Sequence, residues 1–558
     1  MILNVLSNDF KNHEKALKLR IEERIPVTYS DGGLCVSLAV DNSFCKEESY
    51  KIEEISENNW VVTGADEMGL YHGIGKFLHS AKWTEEDFSP VATKGIIAPD
   101  CSFRSLYLCC HFNNFYEEAP EDVLARYLED LLLWGYNVVH AIVPLTYESF
   151  EDPKFIRAAN KVRTVYKLAK QAGMKTCLCI LPNQGLISAP HEYDNDPNFD
   201  QTLRCNNDRN LCLSKPEAWK YMEGLWDGML SLFTDIGLDY IMTWPYDEGG
   251  CGCDGCKPWG ANMYCTGSKG VRDVALKYYP NAKFILSTWC FDVASDEGEY
   301  SGLYERMKGD MSYLDYIMVD AHEQFPRYPL EHEVITPIVN FPEISMWALY
   351  PWGGFGANPL LERFEGIWNS SKHILDGGSP YSEGIYEDIS KVQFAGYYWE
   401  KDASYRDIIA EYINYEYQES VIEDALELML LIEKNHTLMA NEKDPDMDAA
   451  LRAKELAEKI DAELCERAKK CWRWRILFIR AILDYKRYQV FMSKENRTQR
   501  DYVAFLHYSG DLVIADKEAQ DLFRELWAYF YTTGSLTMKN AWTMPPLGGT
   551  PLEPGWSF

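Results

Sequence analysis

Between about residues 100 and 400 the chain repeats one rhythm. A short apolar run ends in polar or aromatic residues, and a longer amphipathic stretch follows. The runs are RSLYLCCHF, NVVHAIVPL, KTCLCILPN, DYIMTWPYDE, KFILSTWCFD, LDYIMVDAHE, EISMWALYPWGG and GSPYSEGIYED. Each reads as a strand. The stretches EDVLARYLEDLLLWG, IRAANKVRTVYKLAKQAG and EAWKYMEGLWDGMLSLFTDIG read as helices that close on glycine, as helix C-termini often do. Strands alternating with helices predict a parallel sheet. Eight such units predict a (β/α)8 TIM barrel over residues 96–403, with a doubly wound open sheet as the alternative.

The rhythm differs at both ends. Residues 1–95 predict a small α/β domain with strands at LCVSLAV, YKIEEI and NWVVTG. An amphipathic helix follows at GADEMGLYHGIGKFLHSA, with Leu70, Ile74, Phe77 and Leu78 on one face. Residues 404–558 predict an all-α domain, from YRDIIAEYINYEYQ, ALELMLLIEKN, AALRAKELAEKIDAEL and RWRILFIRAILDYKRYQVFM. The tail MPPLGGTPLEPGWSF is too rich in Pro and Gly for regular structure. Three domains suit a chain of 558 residues, which exceeds one hydrophobic core.

Composition narrows the partners. A net charge of −31 repels phosphate backbones, so nucleic acid is excluded as a partner. No apolar run approaches the roughly 20 residues of a membrane span, so no membrane partner is expected. The N-terminus MILNVLSNDFKNHEKALKLR lacks the basic region, long apolar stretch and small-residue cleavage site of a signal peptide. The 16 cysteines are therefore expected as reduced thiols in a cytoplasm. The 17 Trp and 36 Tyr suit the flat faces and hydroxyl edges of sugars, and equally a large core. Neither a phosphate-binding loop nor a GxGxxG fingerprint is present. A homo-oligomer is compatible with the sequence.

Chemistry in such a barrel sits at the C-terminal ends of the strands. Those ends carry His111, Asn113, Asn183, Asp247, Glu248, Trp289, Asp292, Asp320, His322, Tyr350, Trp352, Tyr381 and Glu383. Asp247 and Glu248 follow the fourth run beside Trp244 and Tyr246. Glycoside hydrolysis needs an acid for the leaving oxygen and a group that stabilises the anomeric carbon. Adjacent carboxylates suit a mechanism in which the substrate's own 2-acetamido oxygen attacks. One carboxylate orients that amide and its neighbour is the acid/base. Like charge and burial would raise one pKa, as an acid at neutral pH requires.

These features resemble the superfamily of glycoside hydrolases around family 20, with families 67, 84 and 123. The resemblance rests on the helix GADEMGLYHGIGKFL ahead of a barrel, and on the Asp-Glu pair after strand four. It implies that Asp247 orients the acetamido group and that Glu248 is the acid/base. It further implies that Trp289 and Trp352 wall the sugar pocket, Tyr350 bonds the acetamido oxygen and Glu383 grips sugar hydroxyls. The activity implied is that of a retaining exo-β-N-acetylhexosaminidase on GlcNAc or GalNAc, with oligosaccharide or glycoconjugate fragments as substrates. Two alternatives stand beside it. One is an inverting α-glucuronidase of the family 67 type, pairing Glu248 with Asp320 or Glu383. The other is a non-catalytic carbohydrate-binding barrel.

His111, Asn113 and Tyr381 are further candidates for sugar hydroxyls. Glu387 and Asp388 read as acids favourable at a helix N-terminus. Cys251, Cys253 and Cys256 form C-x-C-x2-C directly after the acid pair. With a fourth thiolate they would close a structural zinc site, and no cofactor is expected for catalysis itself. Cys205 is the preferred fourth ligand, with Cys212 and Cys265 competing. Free thiols in a Gly-rich loop are the alternative.

Overall fold

The computed structural model describes residues 1–7, 9–110, 114–197, 209–245, 250–292, 298–321, 324–345, 352, 356–440, 444–493 and 516–529. Strands β1 (Ile2–Leu6), β2 (Thr28–Tyr29), β3 (Leu34–Val40), β4 (Tyr50–Ser56) and β5 (Asn59–Gly64) form a sheet in the order β2-β1-β3-β5-β4. Helices α1 (Lys11–Glu22) and α2 (Glu67–His79) pack on it. Alternate strand residues Leu3, Val36, Leu38, Ile52 and Val62 are buried, as the period of two requires. In α2, Leu70, Ile74, Phe77 and Leu78 are buried as the periodicity predicts. Asp66 caps that helix by accepting from the Gly69 N–H at 2.7 Å.

The barrel strands are β6 (Phe103–Leu108), β7 (Val138–Ile142), β8 (Lys175–Ile180), β9 (Tyr240–Thr243), β10 (Lys283–Ser287), β11 (Tyr316–Asp320), β12 (Ile338–Phe341) and β13 (Leu375–Gly378). All neighbours pair in parallel. The circle closes where β13 meets β6, with Gly377 opposite Phe103 and Gly378 opposite Arg104. This seam needs glycine. A Cβ on Gly377 would stand 1.8 Å from the Phe103 carbonyl oxygen, and its φ of 129° is one that side chains avoid. Helices α3 (Glu121–Leu133), α4 (Pro153–Gln171), α5 (Pro216–Ser231), α6 (Cys265–Ala275), α7 (Glu299–Met307), α8 (Leu361–Ser371) and α9 (Asp388–Trp399) each follow one strand, and β11 is followed by only a short helical turn at Arg327–Glu331. Helix α4 ends as its sequence predicts. Gly173 takes φ 90°, and the Met174 N–H turns back to the Ala169 carbonyl at 2.9 Å.

Two strands differ from the sequence reading. The seventh is Ile338–Phe341, ahead of EISMWALYPWGG, and the eighth is Leu375–Gly378, ahead of most of GSPYSEGIYED. The seventh is four residues between Pro337 and Pro342, too short and too punctuated to stand out. The eighth is LDGG, whose glycines serve the closing seam and mask the apolar signal.

Helices α10 (Tyr405–Glu416), α11 (Ile422–Ala440), α12 (Met447–Glu463), α13 (Trp472–Met492) and α14 (Lys517–Ala528) make up the C-terminal region. Ion pairs pin the three parts together. Asp130 on α3 accepts from Arg20 of α1 at 2.8 Å and from Arg473 of α13 at 3.1 Å. Burial alone would raise the Asp130 carboxyl, but Arg126, Arg20 and Arg473 hold it well below the carboxylate range. Arg104, buried in β6, pairs with Glu48 of the N-terminal sheet. Asn137 also donates to Glu48 at 2.9 Å. No helix among the described residues is long and apolar enough to cross a membrane.

Candidate active site

Inward-facing barrel residues form a core of their own, distinct from the one between strands and helices. Its lower layer holds Phe103, Tyr240 and Tyr316, with ring centroids 5.1–6.5 Å apart. Its upper layer, toward the C-terminal ends of the strands, is also aromatic. Tyr107, Trp244 and Phe341 meet there, with the Trp244 and Phe341 rings edge to face at 4.6 Å. Trp289 packs on Trp244 at 5.5 Å, and Tyr381 stacks on Tyr107 at 5.4 Å. Trp289 and Tyr381 are both only partly buried. The barrel mouth therefore has an aromatic floor. Its partly exposed members, Trp289 and Tyr381, are the ones whose flat faces a ligand could stack on.

Strand alternation sets carboxylates above this floor. Tyr316 and Met318 point inward, which puts Asp320 on the same side at the end of β11. Val339 and Phe341 do the same for Glu343, two residues past β12. Glu343 is buried and accepts from the Ser345 N–H at 2.5 Å. The Ser345 hydroxyl in turn accepts from the Glu383 N–H at 3.0 Å, so one serine ties the two strand ends together. Glu383 accepts from the Tyr381 hydroxyl at 3.0 Å. Burial and the nearby Glu387 raise the Glu383 carboxyl to about 7, against the hydrogen bond from Tyr381. A carboxyl that titrates there is suited to give or take a proton at neutral pH. The Cys109 thiol lies 3.1 Å from the Tyr381 oxygen and is pushed up by burial.

Several sequence-predicted residues have other work. Trp352 is 1% exposed. Its indole N–H donates to Asp484 of α13 at 2.6 Å, and Arg480 and Arg487 lie over its ring at 4.8 and 4.6 Å. That is a correction to its reading as a pocket wall, because neither face is open to a ligand. The run EISMWALYPWGG predicts a strand end at Trp352, whereas the seventh strand ends at Phe341. Asn183 is buried and donates to Asn210 at 3.1 Å, holding a small hairpin. Asp292 caps α7 through the N–H groups of Glu299 and Tyr300. Glu387 is buried and lies 3.6 Å from Lys391. Asp388 is a hub at the helical region, accepting from Tyr127, Tyr412 and Arg473. His111, Asn113, Cys205, Tyr246, Asp247, Glu248, His322 and Tyr350 lie outside the described residues. Chain order puts Asp247 and Glu248 three and four residues beyond the floor residue Trp244.

Sequence reasoning missed Tyr107, Phe341 and Glu343. Tyr107 lies inside the run RSLYLCCHF, ahead of the strand end where chemistry is expected. Glu343 would have followed from reading PIVNFPE as the seventh strand.

Four cysteines converge beside the loop after β9. The Sγ atoms of Cys212, Cys251, Cys253 and Cys256 lie within 4.8 Å of one another. Cys212 thus stands in the place expected for Cys205. The other competitor, Cys265, is buried in α6, where its thiol donates to the Gly260 carbonyl at 3.0 Å. The fifteen described cysteines are all free thiols.

No protein-family model matches the chain, and no curated protein matches it significantly. Solved structures do. A GH89 enzyme from Clostridium perfringens, solved with its substrate GlcNAc-α-1,4-galactose, aligns with a TM-score of 0.60 at 12% identity, over 93% of this chain and 66% of that one. A GH115 4-O-methyl-α-glucuronidase with specificity for decorated arabinogalactans aligns at 0.57 and 11% identity, over 97% of this chain and 77% of that one. A β-N-acetylhexosaminidase from Bacteroides fragilis aligns at 0.44 and 13% identity, over 72% of this chain and 85% of that one. The chain thus spans about two thirds to three quarters of the length of the GH89 and GH115 proteins. Its fold, from N-terminal sheet through barrel to helices, is one used by glycoside hydrolases.

Proposed function

We propose that this chain is an exo-acting glycoside hydrolase that removes a terminal N-acetylhexosamine, GlcNAc or GalNAc, from oligosaccharide or glycoconjugate fragments. The observation that carries the reading is the barrel mouth itself: an aromatic floor of Tyr107, Trp244 and Phe341 under carboxylates from three strand ends. Aromatic faces bind the apolar side of a pyranose, and carboxylates bind its hydroxyls or move its protons. In this mechanism Glu248 protonates the leaving oxygen. Asp247 orients the acetamido group, whose oxygen attacks the anomeric carbon. Water then opens the cyclic intermediate with Glu248 as base, so the anomeric configuration is retained. Trp289 and Tyr381 flank the sugar, and Glu383 holds its hydroxyls.

The carboxylates on the later strands favour a second reading. Glu248 as acid with Asp320, Glu343 or Glu383 as base would give an inverting enzyme of the uronidase type, provided about 6.5–9.5 Å separates the pair. Aryl glycosides of β-GlcNAc, β-GalNAc, α-GlcNAc and α-glucuronic acid, with the product anomer followed by NMR, test both. Retained N-acetylhexosamine supports the first mechanism. Inverted uronic acid supports the second. Saturable sugar binding with no hydrolysis of any glycoside would mark a binding barrel and overturn both.

A further inference from the structure

Every described cysteine but four is a scattered thiol in a core or on a surface. Cys212, Cys251, Cys253 and Cys256 converge from two loops, one ahead of α5 and one after β9. The Sγ of Cys212 is 3.7 Å from that of Cys253 and 3.8 Å from that of Cys256. A disulfide would need about 2.05 Å. A tetrahedron of thiolates around zinc, with bonds of about 2.3 Å, has sulfur–sulfur edges of about 3.8 Å. The two edges from Cys212 have the length of a filled site, and all six lie within 4.8 Å.

We propose that these four cysteines bind a single zinc ion as thiolates. Four sulfurs fill the tetrahedron and leave no open position, so the ion is structural and takes no part in bond cleavage. All sulfurs within 4.8 Å of one another suit one ion, not an iron–sulfur cluster, whose ligands stand further apart. The surroundings supply donors to the sulfurs, as thiolate sites require. The Asp196 N–H donates to Cys251 at 3.3 Å. The Ser214 hydroxyl lies 3.0 Å from Cys212 and 3.6 Å from Cys253. The Cys256 N–H closes the C-x2-C turn on the Cys253 carbonyl at 2.9 Å. Gly255 packs so closely on Ser214 that a Cβ there would sit 3.0 Å from its Cβ.

The site has a consequence for the barrel mouth, and this part rests on the proposed glycosidase reading. Cys251 follows Glu248 by three residues, so the ion would anchor the backbone directly after the acid pair in the chain. Trp244, packed in the floor, anchors the chain ahead of the pair.

The test is metal content and thiol reactivity of the intact purified chain, prepared under reductant without chelator. The expected result is about one zinc per chain, released together with titration of four thiols by a mercurial reagent. Cys212→Ser and Cys253→Ser are expected to lose the zinc, whereas Cys265→Ser keeps it. Replacement by cobalt is expected to give thiolate-to-metal charge-transfer bands. Wild-type protein without stoichiometric zinc would overturn the proposal, as would another metal in its place, a disulfide within the cluster, or zinc retained by both variants. The wild-type thiol titration decides the matter even where a variant does not fold. None of these readouts uses hydrolysis, so failure of the zinc site and failure of the glycosidase reading are told apart. If both hold, zinc removal abolishes turnover while the barrel's secondary structure persists.

Discussion

Glu383 offers a sharp test of the electrostatics at the barrel mouth. Its carboxyl titrates at about 7 in the folded chain, against an ordinary value of 4.5. The folded state therefore holds this proton more tightly than the unfolded state does. The stability it contributes is greatest at low pH, falls as pH rises from about 4.5 to about 7, and is flat above. At about 1.36 kcal/mol per pKa unit, folding loses about 2.5 kcal/mol through this one group between pH 5 and pH 8. Glu383→Gln keeps the shape and the acceptor for the Tyr381 hydroxyl but removes the charge. Urea unfolding of both proteins at pH 5 and pH 8 gives the double difference. The variant is expected to gain about 2–3 kcal/mol over wild type on going to pH 8, of the size that linkage assigns. Other groups that titrate in this range, such as Glu433, cancel in the difference. An equal fall in the two proteins would place Glu383 in water, with an ordinary carboxyl. The same variant is expected to lower kcat/KM, so charge at this site would serve function at the expense of stability.

Further predictions follow from named contacts. Arg104→Met leaves Glu48 buried without its main partner. Glu48 is held at about 2 because Arg104, with His72 and Lys175, outweighs burial, so the variant is expected to lose about 3–5 kcal/mol in denaturant titration. The Glu48 contribution in wild type is present above pH 4.5 and is lost as pH falls toward 2, which acid unfolding of wild type and variant would show. Gly377→Ala drives a methyl into the Phe103 carbonyl at the closing seam, and a loss of about 3 kcal/mol or more is expected by the same titration. Trp289→Ala removes a partly buried ring from the floor's edge. It is expected to raise KM about 10-fold while moving the unfolding midpoint little.

The barrel was legible because its physics is periodic. Runs such as KTCLCILPN and helices that end on glycine state the fold class in one pass of the sequence. Six of the eight strands fall where the runs place them. The seventh does not, because two prolines bracket Ile338–Phe341; the eighth begins ahead of its run at Leu375–Gly378, where glycines mask the signal, and only its last pairing with β6, at Tyr381–Ser382, lies within the run. The predicted strand-seven end therefore carries Tyr350 and Trp352, whereas the observed one carries Glu343. The role of Trp352 was illegible for another reason. Its partners Asp484, Arg480 and Arg487 are more than 120 residues away, and no local pattern announces them. The cysteine cluster was half legible. Spacing found Cys251, Cys253 and Cys256, but the fourth member depends on how the preceding loop folds, and the fold chose Cys212.

The proposed hydrolysis at this barrel mouth depends on Glu248. The most direct measurement compares kcat/KM of wild type and Glu248→Gln on aryl β-N-acetylhexosaminides, with circular dichroism and unfolding confirming that both are folded. Wild type is expected to turn over, and the variant to lose about 10²–10⁴-fold, the range for a positioned acid/base. Equal turnover by the two proteins would contradict that dependence.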